Sequence, residues 1–218
     1  MTAAQFLRSD LRFIGGLVPE GSRVLDLGCG SGELLAYLRD ERGCRVRGVE
    51  LTPEGIAASI ARGLSVVQDD LDRGLAGFPD GSFDVVILSQ TLQIVRNPAL
   101  VLREMLRVGS SGILSFPNFG NWRVRGYLAF RGRMPVSRSI PHSWYDTPNI
   151  HHTTIKDFRD FVQANGGVVV REMPLAPDIS GAGIHAVRFA ANLRAELAVA
   201  IVTSDRSAPD QPPNHTIA

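Results

Sequence analysis

In the first half of the chain, short apolar runs alternate with longer stretches in which apolar residues recur at helical spacing. "RVLDLG" (Arg23–Gly28) is a compact apolar run bounded by turn residues, which predicts a buried strand. "SGELLAYLRDE" then resumes helical spacing through Leu34, Leu35 and Leu38. "CRVRGVEL" predicts a second strand reaching Glu50, "LSVVQDD" a third, "FDVVILSQ" a fourth and "SGILSFP" a fifth. The segments between them carry helix punctuation. Thr52 and Asn97 stand as N-caps, Pro53 and Pro98 open the first turns, and Gly63 and Gly109 mark the stops. Upstream, Phe6, Phe13, Ile14 and Leu17 predict a looser first helix, broken by "PEGS".

Strands alternating with helices predict a parallel sheet covered on both faces. Beyond Pro117 the pattern lapses for roughly 35 residues, far longer than an ordinary connection and so a candidate functional loop. "TTIKDFRDFVQANGG" predicts a further capped helix, and "VVVREM" and "GIHAVRFAAN" the last two strands. Leu193, Leu197 and Ile201 form a stripe at helical spacing, read as a core-facing or docking helix. The end of the chain, from about Ser204, is polar and proline-rich, and is expected to be a disordered tail (204–218) after a single domain (1–203).

Composition changes this picture little. The chain has 218 residues, enough for one well-cored domain and short for two. Twenty-three basic against 22 acidic side chains leave a net charge of +1, so there is no global field to recruit nucleic acid. The two cysteines, Cys29 and Cys44, are not in a CxxC pair, which argues against a disulfide framework or zinc site and fits a reducing cytoplasm. Asp10 interrupts what would be a signal-peptide core, and no run is long enough to span a membrane.

The candidate chemistry gathers at strand ends. In "VLDLGCGSGELL" (Val24–Leu35), Gly28, Gly30 and Gly32 allow a sharp turn and close ligand approach between a strand and a helix N-terminus. Asp26 lies inside the strand end. Glu50, about twenty residues on, ends the next strand where a ribose diol would be held. Asp69 and Asp70 end the third strand, with Asp70 the better placed for an adenine amino group and Asp69 a solvated turn residue. Asp84 reads as a turn cap.

These motifs together resemble the class I S-adenosylmethionine-dependent methyltransferases. The resemblance implies a Rossmann-like α/β fold, a seven-stranded, mostly parallel sheet with one antiparallel strand and helices on both faces. It further implies S-adenosylmethionine or S-adenosylhomocysteine as cofactor, with Asp26, Gly28 and Gly30 at its methionine end, Glu50 and Leu51 at the ribose, Asp70 and Leu71 at the adenine, and Ser89 and Gln90 lining the pocket beyond. No metal is expected. After the fourth strand there is no NPPY-type tetrapeptide and no cysteine nucleophile.

Within that superfamily, "FPDGSFDVVILSQTLQIVRNP", "SFPNFGNWRVRGYLAFRGRMPVS" and "WYDTPNIHHTTIKDF" resemble the MetW family of methionine biosynthesis proteins, from about Asp10 to about Phe189. Ser31 departs from the aspartate frequent there, but could still cap the helix. The resemblance implies an accessory role beside MetX, the homoserine O-acyltransferase that acetylates or succinylates homoserine. It does not bring an established methyl acceptor, so a small-molecule methyltransferase stands as the alternative.

The elaborated segment 118–154 is the most specific part of that likeness. No acid occurs between Glu104 and Asp146, while Arg107, Arg123, Arg125, Arg131, Arg133 and Arg138 all do. Three readings remain open. Trp122, Arg123, Arg125, Tyr127, Arg131 and Arg133 could dock a protein, since Trp, Tyr and Arg dominate interface hot spots. The same residues could bind RNA by stacking and phosphate contacts. Or Trp122–Phe130 could be an amphipathic helix lidding the pocket with its arginines in water. His151 and His152 are neighbours that point apart in extended chain, so ordinary hydrogen-bonded histidines are expected rather than a metal pair.

Overall fold

The computed structural model describes residues 7–137, 140–178 and 183–205. Arg138, Phe6 and most of the expected tail therefore lie outside the described residues. The helices are α1 (Ser9–Leu17), α2 (Glu33–Arg42), α3 (Pro53–Ala61), α4 (Pro98–Val108), α5 (Trp122–Arg131), α6 (Ile155–Ala164) and the short α7 (Ala191–Arg194). The strands are β1 (Arg23–Leu27), β2 (Arg45–Glu50), β3 (Val66–Gln68), β4 (Phe83–Ser89), β5 (Gly109–Pro117), β6 (Gly167–Pro177), β7 (Ile184–Ala186) and β8 (Leu197–Ser204).

They form one sheet of eight strands in the order β3-β2-β1-β4-β5-β8-β6-β7. The first five are parallel; β8 runs antiparallel to both β5 and β6, and β7 antiparallel to β6. The expected seven strands thus become eight, and two strands rather than one are reversed. The frame keeps its expected reversed strand, β8, and adds β7 as a three-residue edge hairpin.

Alternating side chains of the central strands feed two cores. Val24, Val85, Ile87 and Ile113 pack with Ile14, Leu34 and Leu38 from α1 and α2. Leu25, Leu27, Val86, Leu88 and Leu114 face the other way onto Leu102 and Met105 of α4 and Phe158 of α6. In β1 four of five residues are buried, and in β4 four consecutive residues, Val85–Leu88, are, as expected for strands covered on both faces.

Local punctuation works largely as written. Thr52 Oγ1 accepts from the Gly55 amide, Asn97 Oδ1 from Leu100, and Thr154 forms a capping box with Asp157. Ser31 is different: the N-cap of α2 is Gly32, in left-handed conformation, with no side-chain cap bond. Asp84 caps no turn but receives the Arg23 guanidinium and amide across β1 and β4 (2.7 and 2.8 Å), which holds its carboxyl below the ordinary range. The largest departure is β8. Leu197 and Ile201 lie on a strand, not a helix, and the predicted strand "GIHAVRFAAN" shrinks to Ile184–Ala186 before α7. β8 sits between β5 and β6 and is buried on both faces, so its apolar run has no alternation to read.

Candidate functional site

The order of strands reverses between β1 and β4, and ligand crevices of open α/β sheets form outside the carboxyl ends of strands at that point. The glycine loop stands there. Gly28 and Gly30 adopt φ of +75° and +54°, in the region that side chains disfavour. A Cβ on Gly28 would meet Thr91 Oγ1 at 2.8 Å, whereas one on Gly30 would project into open space. The loop is hung on β2 by the Gly28 and Cys29 amides, which both donate to the Val49 carbonyl.

Two acids flank it in opposite states. Asp26 is buried, and no donor among the described residues reaches its carboxyl. Burial, reinforced by the nearby Glu50 charge, pushes its pKa up to about 7. Glu50 is also buried, and burial alone would raise its pKa. Its Oε1 accepts from the Leu51 amide (3.0 Å), the Thr52 amide (2.9 Å) and the Thr52 hydroxyl (2.8 Å), and its Oε2 from the Gly30 amide (2.8 Å). These donors outweigh the burial and hold the carboxylate below its ordinary range. Oε1 is thereby filled, while Oε2, with one donor among the described residues, keeps an open lone-pair direction.

The remaining predicted residues lie at or just past the ends of β2, β3 and β4. Leu51 is largely exposed at the end of β2. Asp70 Oδ1 caps the turn at Leu71–Arg73 by accepting from the Asp72 amide, while Oδ2 has no partner among the described residues. Leu71 is buried beneath it. Asp69 accepts only from the Asp70 amide. Ser89 shares a hydrogen bond with Ser115 (3.2 Å). Gln90 is turned away to Asp10 of α1, with Nε2 donating to Oδ2 at 2.7 Å.

Sequence reasoning used Asp10 to argue against a signal peptide; the structure sets it against Gln90, in the wall of a neighbouring cavity. It also missed Asn118 and Asn121. Asn118 Nδ2 donates to the Asn192 and Ala195 carbonyls, and its Oδ1 accepts from the Gly120 and Ile155 amides. Asn121 Nδ2 donates to the Arg194 and Ala195 carbonyls. Two asparagines just past a buried strand, in "FPNFGN", were the available signal for such a clasp.

Those clasps present α5 to solvent. Only Val124 of that helix is buried. Trp122, Tyr127 and Phe130 are exposed, Phe130 at 90%. Trp144 and Tyr145 are exposed at 73% and 75% and meet edge to face. Arg125, Arg131 and Arg133 are exposed without an ion pair among the described residues, whereas Arg123 lies over Trp122 and pairs with Glu196 at 2.9 Å. Arg107 does not join this surface: Glu104, Asp80 and the Leu75 and Phe78 carbonyls hold it on α4. A shallow groove between α5, α6 and α7 is lined by Arg125, Lys156, Arg159 and Leu193. His152 packs edge-on against Phe119, and His151 Nε2 and Gln93 Oε1 are buried without a partner. No group of metal-ligating side chains occurs among the described residues, and no helix there is long and apolar enough to cross a membrane.

The sheet order and glycine-loop crevice define a Rossmann-like S-adenosylmethionine-dependent methyltransferase fold. Solved structures agree: one such methyltransferase from Thermotoga maritima superposes with a TM-score of 0.68 at 16% identity, covering 94% of this chain and 91% of that one. Another from Archaeoglobus fulgidus gives 0.67 at 18% identity, covering 92% and 94%. Within this fold the chain belongs to the family described as methionine biosynthesis protein MetW, which matches residues 8–202. The bifunctional methionine biosynthesis protein MetXA/MetW of Rhodopirellula baltica is 41% identical over 176 residues, which is 77% of this chain and 28% of that protein. A 2-methyl-6-phytyl-1,4-hydroquinone methyltransferase of Synechocystis is 28% identical over 75% of this chain and 54% of its own length. The chain thus spans well under two thirds of these curated relatives.

Proposed function

We propose that this protein is an accessory factor of methionine biosynthesis that binds S-adenosylmethionine or S-adenosylhomocysteine and associates with homoserine O-acyltransferase (MetX) to promote its activity in the cytoplasm. The observation that carries the partnership is the relative whose name joins MetXA and MetW in one chain. In a fused protein the two portions are held together at high effective concentration, and separate chains need a surface to replace that tether. The exposed face of α5 and the residues just after it supply one, with aromatic anchors and three arginines, Arg125, Arg131 and Arg133, that have no ion pair among the described residues.

The crevice fits the cofactor on three counts. Asp26 is a buried carboxyl that lacks a donor, Gly30 leaves open space where a Cβ would stand, and Asp70 Oδ2 has no partner among the described residues. A bound ammonium would give Asp26 the positive charge that its burial otherwise lacks. Bound cofactor would let the protein report methionine status to its partner.

The test is the homoserine acylation rate of the cognate acyltransferase, with and without equimolar protein, at two S-adenosylmethionine concentrations. A rise in rate supports the partnership, and a change with cofactor supports reporting. No change in rate, and no complex on a sizing column, would sink both. The second reading, a small-molecule methyltransferase, draws on the methyltransferases among the relatives and on a cavity beside Gln90. It predicts a labelled methyl group appearing in a metabolite, in a manner dependent on Glu50 and Asp70.

A further inference from the structure

Next to the crevice, on the far side of Gln90, lies a cavity of about 500 Å³. That is within the range of about 300–1,000 Å³ typical of small-molecule sites. The start of α1, the end of β4, the β6–β7 edge and the start of β8 enclose it. Leu175 and Leu197 supply apolar wall, and Arg8, Asp10, Gln90 and Glu196 the polar groups.

The polar groups are arranged unevenly. The Asp10 and Glu196 side chains are only 12% and 14% exposed, while the arginines that pair with them, Arg8 and Arg123, are 59% and 67% exposed. The acids are therefore part of the wall, and the guanidiniums reach them from outside. Asp10 is fully engaged, by Arg8 Nε and Nη2 and by Gln90 Nε2. Four polar side-chain atoms of the wall are left over among the described residues: Arg8 Nη1 as donor, the Ser9 hydroxyl as donor or acceptor, and Glu196 Oε2 and Gln90 Oε1 as acceptors. Gln90 is held at φ +50°, uncommon for a residue with a side chain. Its amide donates to the Ser115 carbonyl (2.9 Å) and Oγ (3.1 Å), and Asp10 fixes its other end. Backbone strain kept in place by several bonds is characteristic of ligand-contacting positions.

This donor set discriminates between ligand classes. A simple carboxylate would find the Arg8 guanidinium and the Ser9 hydroxyl but would face the free oxygen of the Glu196 carboxylate. A simple amine would leave Arg8 Nη1 without an acceptor. A zwitterion matches both, with its carboxylate on Arg8, its ammonium between Glu196 and the Gln90 carboxamide oxygen, and its side chain along Leu175 and Leu197. We propose that this cavity binds a free α-amino acid with an apolar side chain. The cavity adjoins the cofactor crevice at Gln90, and the proposal does not rest on association with the acyltransferase.

Calorimetry on the purified full chain tests it with L-methionine, L-leucine and L-phenylalanine in turn. At least one is expected to bind. Its amide, which lacks the carboxylate, and its N-acetyl form, which lacks the charged amine, should each bind about tenfold more weakly or worse. Glu196→Gln keeps the size of the side chain and an oxygen for Arg123; it should weaken binding about tenfold with an unchanged melting curve. Failure of all three amino acids to bind overturns the proposal. So does equal binding of the capped forms, or binding that Glu196→Gln leaves untouched, which would put the ligand elsewhere.

Discussion

At Asp26 one carboxyl governs two pH dependences. Its pKa in the folded protein, about 7, is raised above the ordinary 3.8 chiefly by burial. The stability it allows is therefore complete below about pH 4 and is lost as pH rises through about 7. Asp26→Asn should melt higher than the parent at pH 8, by up to a few kcal/mol, with the gap closing towards pH 4. In the parent, affinity for S-adenosylmethionine should rise with pH through neutrality, and in Asp26→Asn that rise should vanish; a flat calorimetric profile in the parent would count against this. Glu50 has the opposite sign. Its folded pKa is depressed, so its contribution is present above the ordinary carboxylate range and lost as pH falls below it. Glu50→Gln, which presents one acceptor oxygen in place of two, should cost about 3 kcal/mol in urea melts at pH 7 and much less near pH 3.

Among the elements, the connection from β5 to α6 is held by side chains rather than by its own regular structure. α7, of only four residues, is far below the length at which a helix supports itself. Asn118 ties it to α6 and to the turn before α5 through four hydrogen bonds. Asn118→Ala should destabilise the protein by about 2–3 kcal/mol and speed amide exchange in segment 118–155, with the β1–β4 strands less affected. On α5 the expectation is the reverse. Arg125 and Phe130 touch little of the protein, so Arg125→Ala with Phe130→Ala should leave the melt within about 0.5 kcal/mol. The same pair should weaken acyltransferase binding about 100-fold, as loss of anchor residues does at interfaces. Arg123 is a poorer probe of docking, because its partner Glu196 also lines the cavity.

For the molecule as a whole, the near-zero net charge and the clustered arginines pull in different directions. A complex with the acyltransferase should persist through moderate salt, since aromatic burial is not screened, whereas phosphate binding would fall steeply. Titrating salt on a sizing column separates the two. The five-stranded parallel half of the sheet was legible because its strands end in turn chemistry and α3 and α4 open with side-chain caps. The antiparallel half was not. Leu193, Leu197 and Ile201 have helical spacing, yet β8 threads between β5 and β6, a placement that depends on partners far away in sequence.

The sequence by itself determined the local decisions of the parallel half: where its strands and helices fall, that Gly28 and Gly30 turn the chain, and which acids stand at the strand ends. These depend on backbone sterics and on neighbours a few residues apart. Only the tertiary structure decided the state of those acids, because burial and donors come from elsewhere in the chain. It left Asp26 without a donor among the described residues, gave Glu50 four donors, and carried Asp10 across to Gln90. It likewise separated Arg107, consumed on α4, from the arginines of α5 that face solvent, a division that one-dimensional charge spacing does not contain.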